Sequence, residues 1–145
     1  MKKTTLTIVL TVFAVCFAAT NAAAHCEIPC GIYDDAARIK QLGEHITTME
    51  KSMKRIIALQ KETPVNSNQL VRWIMNKEDH ANAFQEIVTQ YFMTQRIKPS
   101  TQAYSEKLIL LHKMLVYAMK CKQTVDLANI EALRSLLKEF EGLYM

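Results

Sequence analysis

The sequence predicts an all-α protein whose main part is an up-down four-helix bundle. After residue 33 the chain contains only two prolines and two glycines, and it is rich in residues that favour helices. Apolar residues recur there at steps of three and four in four separate segments, the spacing that lines one face of a helix. No amphipathic helix can bury its apolar face alone. Four such helices joined by short links bury their apolar faces most simply by packing together as a bundle.

The first two helical segments are separated by a turn-forming run at residues 63–68. We expect Asp34 and Asp35 to cap the first segment, and Pro99 to mark the end of the second. Lys77 is a polar exception on the second apolar face. The apolar faces comprise Ile39, Leu42, Ile46, Met49, Met53 and Ile56 in the first segment, and Ile74, Ala81, Phe84, Val88 and Tyr91 in the second, widened by Trp73 and Ile87.

The third and fourth segments repeat this pattern, and Thr124 is the expected cap of the fourth. Their apolar faces comprise Tyr104, Leu108, Leu111, Leu115 and Ala118, then Leu127, Ile130, Leu133, Leu137 and Phe140. Residues 34–145 are therefore predicted to form one bundle around one core.

The first 24 residues have the order of a secretory signal peptide. Lys2 and Lys3 precede an apolar run at residues 6–19, and three alanines close the segment at Ala24. The run is about 14 residues long, too short for the roughly 20 needed to cross a bilayer as a helix. We expect signal peptidase to cut after Ala24, and the mature protein to be periplasmic or extracellular.

The part after the predicted cut, residues 25–145, suits a single domain. Two of the 18 basic residues lie in the leader, so the mature chain keeps a net charge of only about +2 against its 14 acidic residues. This balance is too weak to indicate a nucleic-acid partner.

Cleavage would also change the cysteine count. Cys16 would be lost with the leader, leaving Cys26, Cys30 and Cys121, and an odd number argues against a purely structural disulfide set. His25 would become the first residue, so its amine and imidazole would lie close in sequence to two thiolates. Thiolates with a terminal amine and a backbone amide favour the planar geometry of divalent nickel or copper.

The segment resembles the H-C-x-x-P-C-G-x-Y hook of nickel-containing superoxide dismutases. All the fixed positions match, and they are His25, Cys26, Pro29, Cys30, Gly31 and Tyr33. The resemblance is specific but covers only nine consecutive residues, 25–33. It implies an enzyme that converts superoxide to dioxygen and hydrogen peroxide at a redox-cycling nickel ion, one per subunit, in a homohexamer.

The resemblance also implies the metal ligands. The His25 amine, the Cys26 amide nitrogen and the sulfurs of Cys26 and Cys30 would form the plane, with the His25 ring as an axial ligand. Tyr33 would order water above the metal and take part in proton delivery without binding the ion.

Three further hook residues would shape the backbone. Glu27 would contribute through its amide more than through its carboxylate, Pro29 would follow a cis peptide bond, and Gly31 would permit the turn.

Around the metal, the chain departs from the family. The first helix of the family commonly supplies a glutamate to the axial histidine, whereas residues 38–41 here read Arg-Ile-Lys-Gln. His80 and Tyr91 are the candidates for supporting contacts, Tyr91 because the pair at residues 91–92 is a local match to the family.

Two other functions are compatible with the sequence. The chain could be an exported, non-catalytic copper- or nickel-binding helical protein, or a structural bundle with a Cys26–Cys30 disulfide. A di-iron bundle is disfavoured because no Glu-x-x-His pair occurs. We interpret His45, His80 and His112 as isolated surface or boundary histidines, and Cys121 as a small, partly buried residue.

Overall fold

The computed structural model describes residues 2–18 and 29–145, and the regular elements of this part are helical. They are α1 (Lys2–Ala18), α2 (Asp35–Leu59), α3 (Ser67–Glu86), a π-helix that continues α3 (Ile87–Arg96), α4 (Tyr104–Gln123) and α5 (Ala128–Tyr144). The chain divides into two units, Met1–Tyr33 and Asp34–Met145.

Helix α1 covers most of the apolar run in the predicted leader. It has 17 residues and no acidic side chain in its first turn. In the part of the chain that the structure describes, no helix combines the length and apolar character needed to span a bilayer.

The second unit is a helical bundle, as predicted. His45 contacts His80 and Ser52 contacts Asn76, so α2 and α3 run antiparallel. Lys77, early in α3, contacts the carbonyl of Lys122 near the end of α4. Gln85, late in α3, donates to the carbonyl of Leu115, which lies earlier in α4. Helices α3 and α4 are therefore also antiparallel. Helices α4 and α5 pack together, and α5 returns to α2. Each of the four helices therefore packs against the next one in the chain, the last packs against the first, and the bundle has up-down order.

The core follows the predicted stripes of α2 and α5 closely. Phe92 lies fully buried where the ends of the π-helix and α5 meet, and its ring makes edge-on contacts with Tyr91, Phe140 and Tyr144. The buried apolar residues are Ile39, Leu42, Ile46, Met49, Met53, Ile56 and Leu59 of α2, Ala81 and Phe84 of α3, Val88, Tyr91 and Phe92 of the π-helix, Leu110, Leu111, Met114, Ala118 and Cys121 of α4, Ile130, Leu133, Leu137 and Phe140 of α5, and Ile97.

Two apolar stripes differ from the prediction. Ile74 is exposed, because the face of α3 that meets α2 carries Trp73 and Asn76 at that level, and Asn76 donates to Ser52 at 2.8 Å. On α4 the buried face centres on Met114, while Leu108 and Leu115 lie at its margin. Leucines and isoleucine crowd residues 108–111, so apolar character alone does not identify the inward face.

Helix capping was predicted correctly at one end of the bundle and wrongly at another. The Asp34 carboxylate accepts a hydrogen bond from the Ala37 amide at 2.9 Å and is the N-cap of α2, whereas Asp35 is the first helical residue. Thr124 ends α4 and does not cap α5. Helix α5 begins at Ala128, four residues after Thr124, and the amide of Ala128 donates to the Asp126 carboxylate at 3.0 Å.

Lys77 is buried on the inward face of α3, and its ammonium group lies 3.3 Å from the Glu78 carboxylate and also bonds to the backbone. It donates to the carbonyl of Lys122 at 2.5 Å and to that of Thr124 at 3.5 Å. Both carbonyls lie at the C-terminus of α4, where partial negative charge accumulates. Lys77, the polar residue on the predicted apolar face, therefore caps the C-terminus of the neighbouring helix α4.

The packing of Phe92 gives a direct test of the core. Replacement by alanine in Phe92→Ala should lower the free energy of unfolding by about 3 to 5 kcal/mol, because a fully buried ring and its aromatic contacts are lost. The control, Ile109→Ala, truncates a side chain that is 53% exposed and should change it by roughly 0.5 kcal/mol or less. Urea denaturation followed by circular dichroism measures both, and equal losses would contradict the assignment of the core.

Candidate metal centre

The described part of the hook is a tight turn at residues 29–32. The Ile32 amide donates to the carbonyl of Pro29 at 2.7 Å, which closes the turn. The two central residues have positive φ, +23° at Cys30 and +83° at Gly31. A Cβ at Gly31 would meet nothing within 4 Å, so glycine is required there by backbone conformation and not by lack of space.

The turn presents a thiol to solvent. Cys30 is exposed, and the Tyr33 side chain is 39% exposed three residues later. An exposed cysteine on a compact turn fits a ligand for a soft or borderline metal such as nickel. Of the other predicted hook residues, His25, Cys26 and Glu27 lie outside the described residues, as does Ile28 of the bond before Pro29.

The predicted supporting residue Tyr91 belongs to a polar cluster at the start of α2. Its hydroxyl donates to the Asp35 carboxylate at 2.6 Å, and Tyr144 donates to the same group at 2.9 Å. Arg96 forms a two-pronged pair with Asp35, through Nε at 2.9 Å and Nη2 at 2.6 Å. Four donor contacts thus converge on one carboxylate.

The titration of this cluster reflects its hydrogen bonds. Burial by itself would raise the pKa of Asp35, but the bonds from Arg96, Tyr91 and Tyr144 and the Arg96 charge together lower it. Burial and the bond to Asp35 raise the pKa of Tyr91, and the pKa of Tyr144 rises for the same reasons. At neutral pH the carboxylate is therefore ionised and both phenols remain donors.

The predicted supporting residue His80 pairs with His45. Their Nδ1 atoms lie 2.9 Å apart across the α2–α3 interface, and the ring centroids are separated by 5.1 Å. The prediction that these histidines are isolated is wrong, because the antiparallel packing of two helices joins residues 35 apart in sequence. Of the three histidines in the described part of the chain, His112 is exposed as predicted.

The geometry of the pair disfavours protonation of His45. At 2.9 Å one Nδ1 atom must donate a hydrogen bond and the other must accept it. If both nitrogens carried a proton, two donors would face each other and the hydrogen bond would be lost. The Nε2 atom of His45 is buried and has no hydrogen-bond partner in the described structure. Burial, followed by the nearby His80, lowers the pKa of His45, and Glu44 opposes the shift only in part.

The third cysteine of the predicted mature chain is a core residue. Cys121 is completely buried, and burial raises the pKa of its thiol to about 11, although the Lys77 charge opposes this. The thiol is therefore protonated at neutral pH and unsuited to bind a metal. Within residues 2–18 and 29–145, no group of three or more His, Cys, Asp or Glu side chains is arranged to hold a metal ion.

Sequence reasoning missed the cluster around Asp35. Its members are Asp35, Tyr91, Arg96 and Tyr144, which lie far apart in the chain, and Asp35 had an adequate explanation as a helix cap. The available signal was an acidic residue in the first turn of α2 and an arginine five residues after Tyr91. Neither signal identifies a partner without the packing of the helices.

The fold and this geometry define a class of protein in which a helical bundle follows a short turn that exposes a cysteine. Comparison with family profiles matches residues 20–145 to the nickel-containing superoxide dismutases. No curated protein and no solved structure gives a significant match.

Since the profile covers most of the chain, the protein belongs to the nickel-containing superoxide dismutase family. It is an oxidoreductase with a nickel cofactor, and superoxide is its substrate.

The burial of His45 makes stability depend on pH. Because the pKa of His45 is lowered in the folded state, the unfolded chain binds more protons as the pH falls below about 6.5, and folding is weakened there. The contribution is fully present above that pH and is lost as the pH falls through the lowered pKa of His45. The variant His45→Gln should show a flatter dependence of unfolding free energy between pH 7 and pH 5.

The control is His112→Gln, which changes an exposed histidine on α4 and should retain the wild-type slope. Denaturant titrations at half-unit pH steps measure all three proteins. An unchanged slope in His45→Gln would show that the pair does not sense pH in this range.

Proposed function

We propose that the enzyme acts after export and cleavage, with its nickel ion held by a new amino terminus at His25. The single observation that carries the proposal is the turn at residues 29–32, which presents the Cys30 thiol on the backbone that Gly31 permits. The family match begins at residue 20 and so includes the whole hook. The Cys30 side chain and the family's cofactor are chemically compatible.

The proposed ligands are the His25 amine and ring, the Cys26 amide nitrogen and the sulfurs of Cys26 and Cys30. When bound, nickel supplies the one-electron couple that takes an electron from one superoxide and gives one to another. The chain supplies anionic sulfur and nitrogen donors, which favour the higher oxidation state. Glu27, Pro29 and Gly31 shape the hook.

Tyr33 is proposed to act on water and protons. Formation of one peroxide molecule from superoxide consumes two protons, so a proton donor is needed beside the metal. The Tyr33 side chain is 39% exposed and lies three residues after Cys30, which supports a role in holding a water molecule that delivers protons. Tyr33 binds no metal in this scheme.

Processing and assembly complete the proposal. Signal peptidase would release the amine of His25, and the mature enzyme would be periplasmic or extracellular. Exposed apolar side chains support assembly into a homohexamer, which would also shield oxidisable thiolates. On α3 and α4 these side chains are Val71, Ile74, Met75, Ile109 and Met119.

Replacing the hook cysteines tests the site. The double variant Cys26→Ser/Cys30→Ser should lose bound nickel and bring superoxide decay down to the uncatalysed rate, because serine hydroxyls are poor nickel ligands. Cys121→Ala is the control and should retain one nickel per subunit, since this buried thiol does not bind the ion. Metal analysis and a superoxide-decay assay provide the readouts.

Activity that survives loss of both hook cysteines would reject the proposed site. Tight nickel binding by the wild-type chain without any effect on superoxide would instead select the non-catalytic metal-binding function.

The position of cleavage is equally testable. Intact-mass spectrometry of the exported protein should give a chain that begins at His25. A matched protein that retains Ala24 should bind nickel at least about tenfold more weakly in competition with a chelator, because its ligand amine becomes a peptide nitrogen. Equal affinity of the two proteins would contradict a role for the terminal amine.

A further inference from the structure

The first two residues of the bundle are held on several sides. Asp35 begins α2, and its carboxylate receives hydrogen bonds from Tyr91, Arg96 and Tyr144 at distances of 2.6 to 3.2 Å. Its side chain is 18% exposed, so these bonds are only partly screened by water. Three separate elements, α2, the π-helix and α5, meet at this carboxylate.

The residue before it is held as well. The Asp34 carboxylate caps α2 through the Ala37 amide. The backbone at the start of α2 is therefore restrained through both its own helix and its neighbours.

The π-helix explains how two residues of one element reach the same carboxylate. Tyr91 and Arg96 are five residues apart, and in an α-helix such residues point about 140° away from one another. A π-helix bonds residues five apart, as the Ile97 amide does with the Phe92 carbonyl at 2.9 Å, and so brings Tyr91 and Arg96 to one side. π-Helical turns occur frequently at functional sites.

This cluster lies at the end of α2 that continues directly into the hook. Cys30 precedes Asp35 by only five residues, and Tyr33 by two. A metal site binds tightly when its ligands are already held in place, because less conformational freedom is then lost on binding. Fraying of the first turn of α2 would release the backbone to which the hook is attached.

We propose that Asp35 is a positioning residue for the nickel site, which it serves by fixing the start of α2 from which the hook extends. The inference rests on the proposed function, since it requires nickel to bind at residues 25–30. Arg96 and Tyr144 act through Asp35, and none of the three contacts the metal.

The test compares Asp35→Asn with a matched change elsewhere on α2. Glu50 is also a partly buried carboxylate, 23% exposed, and it joins α2 to α5 through Arg134 at 2.7 Å, but it lies 15 residues further along the chain. Glu50→Gln therefore removes a similar interaction without loosening the start of α2. Both variants are prepared as the mature chain from His25.

The apparent Kd for nickel is measured by competition with a chelator, together with the absorption spectrum of the bound ion and the Tm of the metal-free protein. Asp35→Asn should raise the nickel Kd about tenfold or more and alter the spectrum. Glu50→Gln should lower the Tm comparably while leaving the Kd within about twofold. Rescue of affinity by Asp35→Glu would support the need for a carboxylate.

Wild-type nickel affinity and spectrum in Asp35→Asn would overturn the inference, and so would an equal loss of affinity in Glu50→Gln. If Asp35→Asn fails to fold, Tyr144→Phe decides the question, because it removes one hydroxyl and should raise the Kd by a factor of about three. An unchanged Kd in that variant would overturn the inference.

Failure of the proposed function itself looks different. In that case the wild-type chain and Cys26→Ser/Cys30→Ser would give the same nickel titration, whatever the behaviour of Asp35→Asn.

Discussion

The carboxylate of Asp35 joins three parts of the bundle that the chain order keeps far apart. Arginine and tyrosine donors surround it, and their hydrogen bonds outweigh the cost of burying its charge, so that the pKa of the group falls. Because the acceptor is a single side chain, the start of α2, the end of the π-helix and the end of α5 must meet at one place. The packing of Phe92 against Phe140 and Tyr144 follows at the same end of the bundle.

Elsewhere in the bundle, buried polar groups also link helices and do not lie isolated in the core. Lys77 binds carbonyls at the end of α4, and Ser52 accepts from Asn76 between α2 and α3. The exception is the Nε2 atom of His45, which is buried and unsatisfied within the described structure. An unsatisfied buried nitrogen costs stability, and here it belongs to the histidine whose pKa is lowered by burial.

The bundle and the hook are held in their conformations by different interactions. The bundle is stabilised by burial of apolar side chains, which tolerates many sequences as long as the helical period is kept. The described part of the hook leaves its apolar side chains exposed, Ile32 at 84% and Tyr33 at 39%, and its conformation depends on particular residues, such as the glycine at φ +83°. For this reason nine residues were enough to suggest the family, while more than a hundred others indicated only a helical bundle.

The sequence by itself determined the helical class, the boundaries of the apolar faces of α2 and α5, and the family, because these depend on local periodicity and on a contiguous motif. It also identified Lys77 as a polar residue on an inward face, but not its partner. Only the tertiary structure decided that His45 meets His80, that α4 turns Met114 inward, and that Asp35 gathers Tyr91, Arg96 and Tyr144. These contacts join residues 35 to 109 positions apart, and their geometry depends on how whole helices pack, which no local pattern encodes.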